Sequence, residues 1–222
     1  LMSFHSAPID VAPKLADIFF GGGKSCVFTS ATLGTSSDDE LGYFRRRVGA
    51  MNAQPAMIDS PFDFSKQMRL YLVKSMPAPA TKDYDAALQK WIGHFLDLSK
   101  GRAFVLFTSY TSMKLTAEAM EDFFDDRGWK LLVQGQGLPR HQMLAEFKND
   151  THSVLFGTDS FWTGVDVPGE ALSNVIITKL PFAMPDHPVT ASRLERIEEH
   201  GGNSFMEYSV PEAILKLRQG VG

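Results

Sequence analysis

The sequence predicts an open α/β fold, a parallel sheet with helices on both faces. Two observations carry that expectation. Short runs such as residues 103–107, Ala-Phe-Val-Leu-Phe, are apolar at every position, the pattern of strands buried on both sides. These runs alternate with segments of helical periodicity, the order that βα units impose. The 222 residues, 44% of them hydrophobic, suffice for one large domain, or a domain with a fragment attached, and a core of that size needs no disulfide or metal staple.

Taken in order, residues 1–25 hold an amphipathic stretch. Val11, Leu15, Ile18 and Phe19 fall on one helical face, and Gly21, Gly22 and Gly23 end it. Residues 26–29 read as a short buried strand leading into Ser30-Ala31-Thr32-Leu33. Ser36 or Ser37 is expected to cap a helix through Leu41, Phe44 and Val48, with Asp38, Asp39 and Glu40 in its first turn. Pro55 and Pro61 mark residues 50–68 as loop.

The regular part begins near residue 69. Strands are expected at 70–73, 103–107, 131–134, 153–156 and 175–178, and helices at 84–98, 111–126 and 140–148. A loop with a short turn fills 159–171. Pro181, Pro185 and Pro188 make an extended connection to a helix at 191–200, and Pro211 opens a final helix over 212–218, where the first turn tolerates it. The domain boundary is expected between residues 35 and 68. Because the chain starts at Leu1 and breaks off at Gly222 directly after a helical stretch, it is expected to be a piece of a longer protein.

The charge balance, 22 basic against 26 acidic residues, argues against a polybasic binder but leaves room for a local nucleic-acid groove. One cysteine, Cys26, excludes an internal disulfide and a four-cysteine metal site and suits a reducing, cytoplasmic setting. No apolar run reaches the roughly 18 residues of a membrane span, so no membrane partner is expected. The six histidines lack metal-ligand spacing, and no metal site is expected.

Several tempting motifs fail on context. Gly21-Gly22-Gly23-Lys24-Ser25 resembles a phosphate loop, but Ile18 holds the place of its first glycine and a strand, not a helix, is expected to follow. Asp38-Asp39-Glu40 has no apolar strand feeding into it and reads as a solvated helix start. Ser109 is not in a nucleophile elbow.

Two stretches carry chemistry. Phe107-Thr108-Ser109-Tyr110 ends an apolar run in hydroxyls just before a helix, and the carboxyl ends of strands in such sheets are where ligands bind. Residues 157–169, Gly-Thr-Asp-Ser-Phe-Trp-Thr-Gly-Val-Asp-Val-Pro-Gly, concentrate hydroxyls, a carboxylate, glycines and an aromatic after another strand. Two readings of Trp162 stay open. It is either a flat surface for a base or a packing plug for a folded loop.

Taken together, Thr29-Ser30-Ala31-Thr32-Leu33, Phe107-Thr108-Ser109, residues 157–169 and Leu217-Arg218-Gln219-Gly220-Val221-Gly222 resemble helicase motifs III, IV, V and VI in their proper order. The match is to the XPD-like branch of superfamily two, in particular the bacterial DinG-type helicases. Ser60-Pro61-Phe62-Asp63-Phe64, Leu180-Pro181-Phe182, and Gly201-Gly202-Asn203 leading to Glu207-Tyr208-Ser209-Val210-Pro211-Glu212 extend it over nearly the whole chain.

The resemblance implies a RecA-like motor domain of an ATP-driven 5′→3′ DNA helicase acting in repair or replication. Residues 1–35 would end the first motor domain, including the motif III strand. Residues 36–68 would link, and 69–222 would form the second motor domain, cut inside motif VI before the arginine finger. It further implies that Gln219, Asp166 and Gly164 serve ATP hydrolysis, and that Gly164, Asp166, Gln219 and Gly222 contact the nucleotide. By the same resemblance Thr108, Ser109, Thr158, Trp162 and Thr163 touch single-stranded DNA, while Ser30 and Thr32 couple the two motor domains. ATP with magnesium would be bound mainly by the first motor domain, and an iron–sulfur cluster, where the longer protein has one, would lie outside this chain. The partners implied are single-stranded DNA and the first motor domain of the same protein, with no oligomer required. This piece alone is expected to be inactive as an ATPase. The rival expectation is a non-catalytic nucleic-acid-binding or scaffold domain derived from a helicase.

Overall fold

A computed structural model describes residues 6–23, 25–35, 40–79, 81–167 and 169–221. The chain divides into two compact units, one of Leu1–Gln67 with Phe182–Arg218, the other of Met68–Pro181 with Gln219–Gly222. Among the described residues no helix is long and apolar enough to cross a membrane.

The first unit is helical. Helix α1 (Ala12–Phe20) begins with proline in its first turn and ends at Gly21, and it packs on α2 (Gly42–Val48). A single turn, α3 (Phe64–Gln67), follows. The strand expected at residues 26–29 does not form: the segment pairs in no ladder, and Val27 is 87% exposed. Phe28 supplies the order instead, its ring lying 5.3 Å from that of Phe19 and 5.6 Å from that of Phe44, both edge-on. The expected cap at Ser36 or Ser37, with Asp38 and Asp39, lies outside the described residues.

The second unit holds the sheet. Helix α4 (Tyr84–Ser99) turns at Lys100 and Gly101, both with positive φ. Strand β1 (Ala103–Leu106) then leads to α5 (Tyr110–Ala119), α6 (Glu121–Asp125), β2 (Leu131–Val133), α7 (Arg140–Asn149), β3 (Val154–Gly157) and β4 (Asn174–Ile177). The order across the sheet is β2-β3-β1-β4, every pair parallel. Alternation of side chains along each strand fixes the two layers. Ala103, Val105, Val154 and Phe156 face a core shared with Leu88, Ile92 and Leu96 of α4, Met113 of α5 and Phe124 of α6. Phe104 points to the opposite side, where its ring meets Phe147 of α7 at 4.6 Å. Helices therefore cover both faces of a parallel sheet, as the apolar runs predicted.

Two expectations fail here. Residues 70–73 form no strand; Leu70 and Leu72 are each 76% exposed, and Tyr71 rests on Phe95 of α4 at 5.5 Å. The helix expected over 111–126 breaks at Met120, whose ψ of 9° ends α5 and begins α6.

The first unit resumes with α8 (Pro188–Glu199), again with proline in its first turn. One π-turn (Phe205–Ser209) precedes α9 (Val210–Val221). Buried Tyr43 of α2 donates its hydroxyl to Glu212 of α9. Burial first, and then that hydrogen bond, push the Tyr43 phenol well above the ordinary tyrosine range. The division between units falls inside α9, after Arg218.

Candidate nucleotide and nucleic-acid site

The carboxyl ends of β1, β2 and β3 form one edge of the sheet, and the two chemistry-bearing stretches leave it there. After β1, Phe107 is buried while Thr108 and Ser109 are half-buried. Ser109 caps α5, its Oγ accepting from the Ser112 amide at 3.4 Å. After β3, Thr158 opens a single 3-10 turn, Asp159–Phe161. The turn needs Gly157: a Cβ there would stand 2.7 Å from the Phe161 ring.

Three side chains hold this loop. Gln134, just past β2, accepts through Oε1 from the Thr158 amide at 2.7 Å and from its hydroxyl at 3.0 Å. Arg140, at the start of α7, donates to the carbonyls of Ser160 (3.1 Å), Thr163 (3.1 Å) and Gly164 (3.0 Å). Trp162 donates its indole N–H to the Phe107 carbonyl at 3.0 Å and is fully buried. Gly164 takes a left-handed φ of 65°, which glycine adopts without strain.

That burial corrects one expectation. With both faces of its ring covered, Trp162 cannot stack on a base; it is the packing plug. Gly220 of α9 forms part of the cover, since a Cβ there would lie 2.7 Å from the indole and 3.3 Å from Leu106. The residue after Gln219 thus rests on the residue before Thr163, so the motif V-like loop and the motif VI-like helix end meet at the sheet edge. Thr163, Gly164, Asp166 and Gln219 are exposed around that meeting point. Gly222 lies outside the described residues.

Ser30 and Thr32 belong to the first unit. The Ser30 Oγ accepts from the Thr32 amide at 3.2 Å and sits 3.4 Å from the Thr32 hydroxyl, a local turn on an exposed segment. Arg218, adjacent to Gln219 in α9, donates to the Gly34 carbonyl at 2.6 Å, two residues past Thr32. Among the described residues no group of three His, Cys, Asp or Glu side chains converges to hold a metal ion, and no step is assigned to one. Gln134, Arg140 and Gly220 carry the site's architecture; Gly220 lies in the motif VI-like stretch, whereas Gln134 and Arg140 were given no role in the sequence. Their partners lie 20 or more positions away in the chain, with no local pattern to mark them.

A parallel sheet flanked by helices, with a glycine-rich hydroxyl loop packed on the end of a later helix, has the form of a RecA-like helicase domain. The helicase C-terminal domain family matches residues 92–222, and the chain belongs to that family. The chain is similar to the ATP-dependent DNA helicase YoaA of Haemophilus influenzae, 37% identical over 218 residues that cover 98% of this chain and 33% of the relative. It is 35% identical over 223 residues to the ATP-dependent DNA helicase DinG of Photobacterium profundum, covering 97% of this chain and 32% of that protein. It is 32% identical over 227 residues to the 3′-5′ exonuclease DinG of Bacillus subtilis, covering 100% of this chain and 24% of the relative. The chain therefore spans a third or less of the length of these curated relatives.

Proposed function

We propose that the chain is the C-terminal motor part of an ATP-dependent 5′→3′ DNA helicase acting in DNA repair or replication in the cytoplasm. Residues 69–222 form its second motor domain, residues 1–35 end the first, and residues 36–68 link them. The observation that carries this reading is the seating of Gly220 on Trp162, which brings Gln219 and the loop through Gly164 and Asp166 to one sheet edge.

Phosphoryl transfer from ATP demands positioning and charge stabilisation more than covalent chemistry from the protein. One wall of the nucleotide cleft is supplied here. The exposed backbone at Gly164 and the side chains of Asp166 and Gln219 face the nucleotide, Gly222 is assigned to the same role by its place in the motif, and the first motor domain supplies the phosphate loop and the magnesium ligands. Thr108, Ser109 and Thr163 present neutral hydroxyls to the backbone of single-stranded DNA, and Thr158, whose hydroxyl proton goes to Gln134, braces the loop that carries Thr163. Such groups orient a phosphate without the grip of a cation, which suits a strand that must slide. Thr32 lies two residues and Ser30 four residues before the Gly34 carbonyl held by Arg218, so a shift of Arg218 is felt at the pair assigned to coupling the two motor domains. No oligomer is required.

The test is ATP turnover by the full-length protein with and without single-stranded DNA. Arg140→Ala frees the three carbonyls of the loop, and it is expected to lower the DNA-stimulated rate at least tenfold while shifting the unfolding free energy by only about 1 kcal/mol. The 222-residue chain alone is expected to show no magnesium-dependent turnover. Full DNA stimulation in Arg140→Ala, or turnover by the chain alone, would remove this assignment.

A further inference from the structure

A cavity of about 670 Å3 opens within the first unit, inside the range of about 300–1,000 Å3 typical of ligand pockets. Arg46 and Arg47 of α2 and Arg193 and Arg196 of α8 line it, with Asp10 and Glu207 as the acids. Four guanidiniums against two carboxylates leave the lining positive.

The arginines are held to different degrees. Arg193 donates from Nε to the Ile9 carbonyl at 3.1 Å and from Nη1 to the Tyr208 hydroxyl at 3.0 Å. The Tyr208 ring has Arg47 at 5.6 Å and Arg193 at 5.8 Å from its centroid. Arg196 is 3.6 Å from Asp10, and Arg47 is 4.0 Å from Glu212. Arg46 is exposed, and its guanidinium has no partner among the described residues. A guanidinium carries five N–H donors, so Arg193 keeps free donors while its position is fixed by the protein.

These features point to the ligand. All the cations of the lining, His200 aside, are arginines, whose planar fork matches two oxygens of one phosphate where a lysine acts as a point charge. With Glu212 beside Arg47, the four guanidiniums face three carboxylates, and the surplus of one positive charge matches the single negative charge of a phosphodiester.

We infer that this cavity binds one backbone phosphate of a single-stranded nucleic acid, a contact separate from the hydroxyl-lined sheet edge. The inference rests on the helicase reading above. Its test is the anisotropy of a fluorescein-labelled oligo(dT) bound to the full-length protein across a salt series. Loss of one phosphate contact lowers the slope of log K against log salt by about 0.7. The double variant Arg46→Ala/Arg196→Ala is expected to show that drop and a severalfold loss of affinity, and the double lysine variant to retain most of both. Asp10→Asn, which removes a repelling carboxylate, is expected to tighten binding, so the inference stays testable even if an alanine variant folds poorly.

Slope and affinity equal to wild type in the alanine and Asp10→Asn variants, with Thr163→Ala still weakened, would overturn this inference and leave the helicase reading standing. A wild-type protein that fails to bind the oligonucleotide would overturn both. Saturable binding of inorganic pyrophosphate that the alanine variant loses, with oligonucleotide binding unchanged, would give the cavity to a free anion and overturn the strand assignment.

Discussion

Residues 26–32, Cys-Val-Phe-Thr-Ser-Ala-Thr, and residues 103–109, Ala-Phe-Val-Leu-Phe-Thr-Ser, follow the same plan of an apolar run that ends in hydroxyls. Their fates differ. The second is β1, bonded to β3 on one side and β4 on the other, with every residue from Ala103 to Phe107 buried. The first is an irregular segment outside any ladder, and its Val27 faces solvent. Composition is not the cause, since both runs are rich in strand formers. A strand exists only where neighbours accept and donate along its length, and those neighbours come from distant sequence. Both segments do place a serine where it turns the chain: Ser109 accepts from the Ser112 amide and Ser30 from the Thr32 amide. That local hydrogen bond survives with or without a sheet.

Three measurements break or sharpen this contrast. The largest effect is expected at the plug of the sheet edge. Trp162→Ala removes a fully buried indole and its bond to Phe107, at a cost of about 3–5 kcal/mol by denaturant unfolding. A loss under about 1 kcal/mol would mean the ring is not a core element. Next comes a matched valine pair. Val105→Ala within β1 should cost about 2–3 kcal/mol, and Val27→Ala should stay within about 0.5 kcal/mol. Equal costs would show that residues 26–29 are paired after all.

The smallest effect concerns Tyr43. Its raised pKa in the folded state, from burial and the Glu212 hydrogen bond, means that the folded protein keeps a proton which the unfolded chain releases above about pH 10. The stabilisation it contributes is therefore complete below that pH and declines as pH rises toward the folded value. Tyr43→Phe should lose about 1 kcal/mol at pH 8 and fall less steeply than wild type between pH 8 and 11, as read from urea midpoints. Parallel pH curves would show that Tyr43 titrates as it does in the unfolded chain.

Much of the sheet was legible because its strands are buried on both faces and so read as unbroken apolar runs; β1 and β3 are fully buried. The helices α4 and α7 fell close to their expected spans because their periodicity is local. Residues 70–73 show the limit, since an apolar tetrapeptide carries no record of whether an edge awaits it. The break at Met120 was hidden as well, because the apolar face continues across it to Phe124. At the site, hydroxyls after β1 and β3 marked the two stretches that the structure brings to one sheet edge, while the hydrogen bonds of Gln134 and Arg140 emerge only from the distances in space. Trp162 was ambiguous in sequence and became a plug because the Phe107 carbonyl and the bare Cα of Gly220 together complete its socket.

That bare Cα has a mechanical consequence. Slide α9 by one residue either way and Gln219 or Val221 would be driven into the indole, so the helix fits its seat in a single register. The last turn of the helix is thereby keyed to the loop that carries Trp162, as a tooth is to its notch.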